Sequence, residues 1–463
     1  MFRSAASTIA DIRPAILAMR WASRLRATLL GSRGAPWALA LIDQLIAGGA
    51  NFVTILMLGR LAGAADLGVF ALAMTVYYLI LAVQESLVTM PYTIFGAHLH
   101  GDKRRQYSGA ALSQSAAWAV GVGTVLALVA LAFYMVRGDG DVARIAAALA
   151  LVSPLLLLRE FGRRYLFAHM QVARVVAMSI AGSAVQVIAL CFFAYTGSLS
   201  AGTALCAMGI GSAFAAFGWL WLSRRAFNFD HARSGDLLLK NWLLGRWILG
   251  SEATAVLAAN VMPWLIAFWL GPTATGIFAA CDSILRLTNP IIIAIRNVLT
   301  SKAAIDYSNG GKPAMRRIVW KTGAFLSLFH FAFCILLAAA GATILRWSFG
   351  DAYVEYWPVL FVLGINQLLA RLGFAPGRAL LLVDRADIAL WGDVAAFIIS
   401  LVAAILLTPR YGVLGAAFSL VAGSMFLVAW TVGAYFVVMR DDKGIEPLSI
   451  GRSSASASAS VSE

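Results

Sequence analysis

The sequence predicts an all-α polytopic membrane protein with about twelve transmembrane helices arranged as two six-helix halves. Three observations predict it. Of the 463 residues, 61% are hydrophobic and only 13% are charged, with a mean hydropathy of +0.82. A soluble domain carries roughly 25% charged residues to cover its surface, so a surface this poor in charge faces lipid. Apolar runs near the ~20 residues a helix needs to cross the hydrocarbon recur along the chain, and helices satisfy their own backbone there. Finally, charged residues gather in alternate loops, the signature of fixed membrane orientation.

Residues 1–35 hold six arginines (Arg3, Arg13, Arg20, Arg24, Arg26 and Arg33) against one acid, Asp11. They are expected to form a basic cytoplasmic tail, an organellar transit peptide being the alternative. Twelve spans follow, at roughly 36–59, 67–94, 108–135, 143–168, 172–196, 199–222, 243–270, 274–300, 318–345, 355–382, 386–408 and 412–438. One set of loops collects Lys103 to Arg105, Arg163, Arg164 and Arg174, then Arg224, Arg225, Arg233 and Lys240. It continues with Lys302, Lys312, Arg316, Arg317, Arg385, Arg440 and Lys443. The opposite set has Arg60, Arg137, Arg144, Arg346 and Arg410, several offset by Asp66, Asp139, Asp141, Asp351 or Glu355. Placing both termini in the cytoplasm satisfies the positive-inside rule at every loop. The net charge of +14 is thereby a topology signal and not a nucleic-acid footprint. The expected organisation is a tail (1–35), an N-lobe (36–225), an inter-lobe loop (226–242), a C-lobe (243–440) and a disordered tail (441–463) ending in Ser-Ala repeats.

The halves carry traces of an internal repeat. Gly68-x-Phe70-Ala71 returns about 210 residues later as Gly276-x-Phe278-Ala279, and Gly197-x-Leu199-x-Ala201-x-x-x-Leu205 returns as Gly412-x-Leu414-x-Ala416-x-x-x-Leu420. Arg159 and Arg174, around the end of span 4, match Arg371 and Arg385 at span 10. Order and near-constant offset favour a repeat over chance matches, and six spans per copy gives both copies the same orientation.

A charge at bilayer depth costs at least about 2.5–3.5 kcal/mol, so each one needs a reason. The candidates for an inward-facing cationic site are Arg159 and Arg163 (four apart on span 4), Arg286 (span 8), and Arg371 and Arg378 (seven apart on span 10). The planar guanidinium fork suits bidentate recognition of a diphosphate. Snorkelling of Arg163, Arg246, Arg296 and Arg378 to headgroups is the alternative, and Asp282–Arg286 could be a structural pair. Asp43, Glu85 and Asp282 are candidates for ion coupling, Asp43 and Glu85 also for partners of an arginine or polar helix contacts. No metal site or catalytic residue is expected. Cys191, Cys206, Cys281 and Cys334 lie in apolar runs, the five histidines never adopt metal spacing, and no Walker A sequence occurs.

These residues resemble those of bacterial polysaccharide flippases, in the superfamily joining multidrug/toxin extruders, oligosaccharidyl-lipid flippases and polysaccharide transporters. The resemblance rests on Asp43-Gln44, Asn51-Phe52, Gly68-x-Phe70-Ala71, Pro91-Tyr92, Arg159-Glu160, Arg163-Arg164-Tyr165 and Gly412-x-x-Gly415-Ala416-Ala417, and covers roughly residues 36–440. It implies two pseudo-symmetric six-helix lobes around a central cavity, in a bacterial inner membrane. It further implies movement of undecaprenyl-diphosphate-linked oligosaccharide repeat units from inner to outer leaflet by alternating access, with no cofactor. Its partners would be the lipid-linked oligosaccharide, membrane lipids, and the polymerase and glycosyltransferases of polysaccharide assembly. A cation-coupled multidrug exporter is the alternative, though intramembrane arginines would repel a cationic drug. A polytopic sugar polymerase or acyltransferase fits less well, because the exit-side loops are too short for catalytic loops.

Overall fold

The computed structural model describes residues 35–96, 99–138, 140–229, 234–382 and 385–440. The tails expected at 1–35 and 441–463 thus fall outside the described residues, save Ala35. Among the described residues there is no strand. The elements are α1 (Ala35–Leu61), α2 (Ala64–Gln84), a π-helical turn (Glu85–Thr89), α3 (Met90–Gly96), α4 (Gly101–Arg137), α5 (Asp141–Ala168), α6 (Val172–Tyr195) and α7 (Ala201–Ser223). They continue with α8 (Ser234–Arg286), α9 (Asn289–Phe349), α10 (Trp357–Leu382) and α11 (Ala386–Arg440).

Ten of the described helices are long and apolar enough to cross a membrane. Two of those stretches, Asn241–Arg286 and Asp387–Val438, run for 46 and 52 residues, about twice the length that one crossing needs. Each reverses at a glycine with positive φ, Gly271 (φ 83°) and Gly412 (φ 62°), a backbone conformation that costs a side chain but not glycine. Asn241–Arg286 thus covers span 7 and the first half of span 8, and Asp387–Val438 covers spans 11 and 12. Large apolar side chains such as Leu151, Ile188, Phe268 and Trp347 stand exposed along these helices, the inverse of a water-soluble surface.

Boundaries differ from expectation at two places. The loop expected at 226–242 is helix from Ser234 onward. Span 8 is not followed by a loop over 301–317, because helix continues unbroken from Asn289 to Phe349. The interruption falls instead at Leu287–Thr288. Pro290 explains it: a proline near the start of a helix has no donor to lose, whereas inside one it removes a hydrogen bond.

The chain forms two compact units, one ending at Ser283 and one beginning at Ile284. In the first, α1 packs on α6, α4 on α5, and α7 on both α5 and α6. One end of this unit is an aromatic core in which Tyr92 lies between Tyr107 and Tyr165, backed by Phe161 and Trp219. Here Pro91 removes the donor that a regular helix would offer to Leu87 O, and Gln114 Nε2 supplies one at 3.4 Å. Asn241 of α8 joins the same end, accepting from Tyr107 and donating to Gln114. At the other end the two copies of the Gly-x-Phe-Ala motif meet. A Cβ on Gly68 would sit 1.8 Å from Pro272 O, and one on Gly276 would sit 1.8 Å from Ala64 O. Each glycine thus lies over the carbonyl four residues before the other, a reciprocal crossing that only hydrogen in place of a side chain permits. In the second unit, α10 packs against both α9 and α11.

Candidate functional site

Charged side chains inside the first unit converge from α1, the π-turn and α5. Asp43, fully buried, accepts from Arg163 Nη2 at 2.6 Å and from the Ser179 hydroxyl on α6. Arg163 reaches Glu160 with its other terminal nitrogen at 2.8 Å. Arg164 pairs with Glu85, and its Nε lies 3.3 Å from Glu160 Oε1, an ion pair by distance whose angle makes no hydrogen bond. Arg159 lies close enough to act electrostatically on Glu160, Arg163 and Asp43, and its buried Nε has no hydrogen-bond partner among the described residues. Three carboxylates (Asp43, Glu85, Glu160) thus face three guanidiniums (Arg159, Arg163, Arg164), so the set is neutral as a whole. Charges removed from water survive only when compensated and hydrogen-bonded in this way.

Local sequence placed this cluster. Glu160 stands three residues before Arg163 and four before Arg164, so a single turn of α5 carries both intrahelical pairs. The π-turn then swings Glu85 toward Arg164, and α1 carries Asp43 to the neighbouring face of α5. Buried amides support the same helices. Gln84 donates to Leu157 O at 2.9 Å, and Gln186 of α6 donates to Thr54 of α1 at 2.9 Å. Asn51, conspicuous in the sequence, is exposed instead, and it is Thr54 of α1 that is buried, against Gln186.

The remaining candidates are distributed differently. Asp282 is half-buried, and Arg286 is exposed at the last residue of α8, where the negative end of the helix dipole favours a cation. Arg371 and Arg378 belong to the second unit. Arg371 donates through Nη2 to Gln367 at 2.7 Å, while its Nε is buried without a partner. Arg378 lies over the Phe374 ring at 5.6 Å and within electrostatic reach of Asp393 on α11. Sequence reasoning therefore found Asp43, Glu85, Arg159 and Arg163 but did not name Arg164 as a partner of Glu85. The signal available for it was the i,i+4 spacing from Glu160. His330, buried on α9 with its Nε2 unpartnered, was also passed over, because one histidine in an apolar run carries no pattern. Among the described residues no group of His, Cys, Asp and Glu could hold a metal ion.

Residues 34–300 match the family model described as "Polysaccharide biosynthesis protein". The chain belongs to that family. Nothing matches among curated proteins. Among solved structures it is similar to a multidrug resistance MATE family transporter of the MOP superfamily in an inward-facing conformation. That likeness has a TM-score of 0.69 at 15% identity, over 88% of this chain and 100% of the other. It is also similar to the lipid II flippase MurJ in an inward closed conformation (TM-score 0.65, 11% identity, 88% and 93% covered). A MOP superfamily transporter from Pyrococcus furiosus follows at TM-score 0.55 and 15% identity, over 88% and 93%. At these identities the likeness is one of fold: the two-lobed, twelve-helix membrane fold of transporters and flippases is the fold class of this chain.

Proposed function

We propose that this protein is a flippase that moves undecaprenyl-diphosphate-linked oligosaccharide repeat units from the inner to the outer leaflet for polysaccharide export. It would sit in a bacterial inner membrane with both termini cytoplasmic, between the glycosyltransferases that build the repeat unit and the polymerase that joins it. The family match and the fold shared with a lipid flippase support a lipid-linked substrate. The fold accommodates more than one kind of cargo, since the Pyrococcus furiosus transporter is described by a binding pocket of reverse polarity that suggests a different function.

The observation that carries the reading is a contrast among arginines. Arg163 and Arg164 form ion pairs with carboxylates, whereas the guanidinium donors of Arg159 and Arg371, at matching positions of the two repeats, are in no ion pair among the described residues. An anion supplies what such a donor lacks. In this proposal Arg159, Arg371 and Arg286 neutralise the diphosphate, Arg378 extends the cationic surface, and Arg163 holds α1 to α5 through Asp43. The lobes then alternate between inner and outer access. Asp43, Glu85 and Asp282 are the carboxylates available for coupling to an ion gradient: a proton on Asp43 would remove the charge that Arg163 binds. No bond is made or broken in this cycle.

The test is export of the repeat unit from cells carrying substituted protein. Arg371→Glu or Arg286→Glu should abolish export while the protein remains inserted at normal levels. Full export by a chain with Arg159, Arg286 and Arg371 all changed to alanine would overturn the assignment.

A further inference from the structure

In the second unit the register of α9 against α10 follows from two close approaches. A Cβ on Gly323 would lie 3.2 Å from Ala375 Cβ, and one on Gly364 would lie 2.8 Å from Leu337 Cδ1 and 3.6 Å from Cys334 Sγ. Advancing along α9 therefore means moving back along α10, so the two helices are antiparallel. This register sets His330 level with Gln367 and within about one helical turn, some 5 Å along the axis, of Arg371.

His330 is 1% exposed in the middle of the apolar stretch Arg317–Phe349. Its Nδ1 lies 3.0 Å from Leu326 O. A carbonyl only accepts, so Nδ1 carries the hydrogen and Nε2 of the neutral ring is left as a bare acceptor. Among the described residues that Nε2 has no hydrogen-bond partner, and neither has the buried Nε of Arg371. Arg371 is within electrostatic reach of the ring. On α9 itself, Lys321 and Arg346 lie more than two turns from His330. On α10, Arg378 lies two turns beyond Arg371 and faces Asp393 of α11, and Asp351 and Glu355 lie in the 3-10 segment Asp351–Tyr356 that precedes α10.

We infer that His330 is a proton-binding site linked to anion binding at Arg371, so that a proton on Nε2 and a diphosphate held by the guanidinium favour one another. The inference rests on the reading of Arg371 as a diphosphate contact and adds a proton to it. With the site empty, a second positive charge beside Arg371 in apolar surroundings is unfavourable. A diphosphate brings more negative charge than Arg371 alone cancels, so the ring takes up a proton as the anion binds. By linkage, acid then tightens the anion by the same factor. The proton comes from solvent and returns to it when the anion leaves.

The experiment measures binding of pyrophosphate and of farnesyl diphosphate to the full chain in lipid nanodiscs, at about pH 5.5 and about pH 8, the range over which histidine titrates. The wild-type chain should bind about tenfold more tightly at the lower pH. His330→Gln keeps a polar ring-sized group without the titration, and should bind at both pH values with the affinity seen at pH 8, apart from the ligand's own protonation. Equal acid tightening in wild type and His330→Gln overturns the linkage while leaving Arg371 as an anion contact. Unchanged binding by Arg371→Ala instead overturns the reading of Arg371 beneath it. A response to farnesyl diphosphate alone assigns the anion to a lipid headgroup, and a response to both ligands includes free diphosphate; either supports the linkage. Should His330→Gln fail to fold, a chain keeping His330 as its sole histidine reports the ring by NMR. Added pyrophosphate should raise the pH at which the ring titrates, and an unmoved titration overturns the proposal.

Discussion

The two units bury arginine in opposite ways. In the first, Arg163 and Arg164 are enclosed by Asp43, Glu85 and Glu160, so each charge has a counter-charge within the protein. In the second, Arg371 has only the neutral Gln367 as hydrogen-bond partner and no ion pair among the described residues. The contrast teaches that an intramembrane arginine is not a site by virtue of its charge. A compensated one ties helices together, and an uncompensated one is available to an anion that arrives from outside the chain.

Breaking a compensated pair should give the largest effect. Asp43→Ala leaves Arg163 buried against a single carboxylate and should cost about 3–5 kcal/mol. Thermal unfolding of detergent-purified protein would show it as a lowered Tm. Asp43→Leu combined with Arg163→Met should recover much of the loss, because the pair is removed together. If the double variant is no more stable than the single, the pair is not what stabilises this region.

Next comes the reciprocal glycine crossing. Gly68→Ala places a methyl group onto the Pro272 carbonyl, so α2 and α8 must separate, at a cost of about 1–3 kcal/mol. Gly63→Ala, one turn earlier and with open space around it, should act through its positive φ alone, by about 1–2 kcal/mol. Equal melting of wild type and Gly68→Ala would show that the crossing is looser than its geometry.

Arg371→Ala reverses the pattern of Asp43→Ala. Only one hydrogen bond, to Gln367, is lost from the fold, so stability should fall by about 1 kcal/mol or less. Diphosphate affinity should fall about tenfold or more, since a charge-assisted contact contributes about 1.5–3 kcal/mol. A calorimetric titration beside a melting curve separates the two. A large loss of stability with unchanged affinity would place Arg371 among the structural arginines.

The smallest effect on export belongs to Thr75→Val, which removes the acceptor for Trp264 Nε1 (2.8 Å) on α8. The Thr75 hydroxyl also donates to Leu72 O at 2.7 Å, and two neutral hydrogen bonds at about 1 kcal/mol each should lower Tm modestly with export intact.

Much of this protein is legible without its structure. Composition and the long apolar runs dictated helices in lipid, because a helix satisfies its own backbone there, and the alternating basic loops gave the spans their order. Glu160 with Arg163 and Arg164 was readable too, since helical spacing alone makes them neighbours. The turn after Arg286 was not, because Thr288-Asn289-Pro290 competes with a long apolar run and only packing decides which prevails. Nor was the choice between Asn51 and Thr54 as the inward face of α1, where three residues separate one side of a helix from nearly the same side again. What only the tertiary structure decided is which charges meet: Asp43 finds Arg163 across 120 residues and Glu85 finds Arg164 across 79, while Arg371 finds no carboxylate among the described residues. Hydropathy is a sum over neighbours in sequence. Compensation of a buried charge depends on a distance of a few ångströms in space, and that distance exists only once the helices have packed.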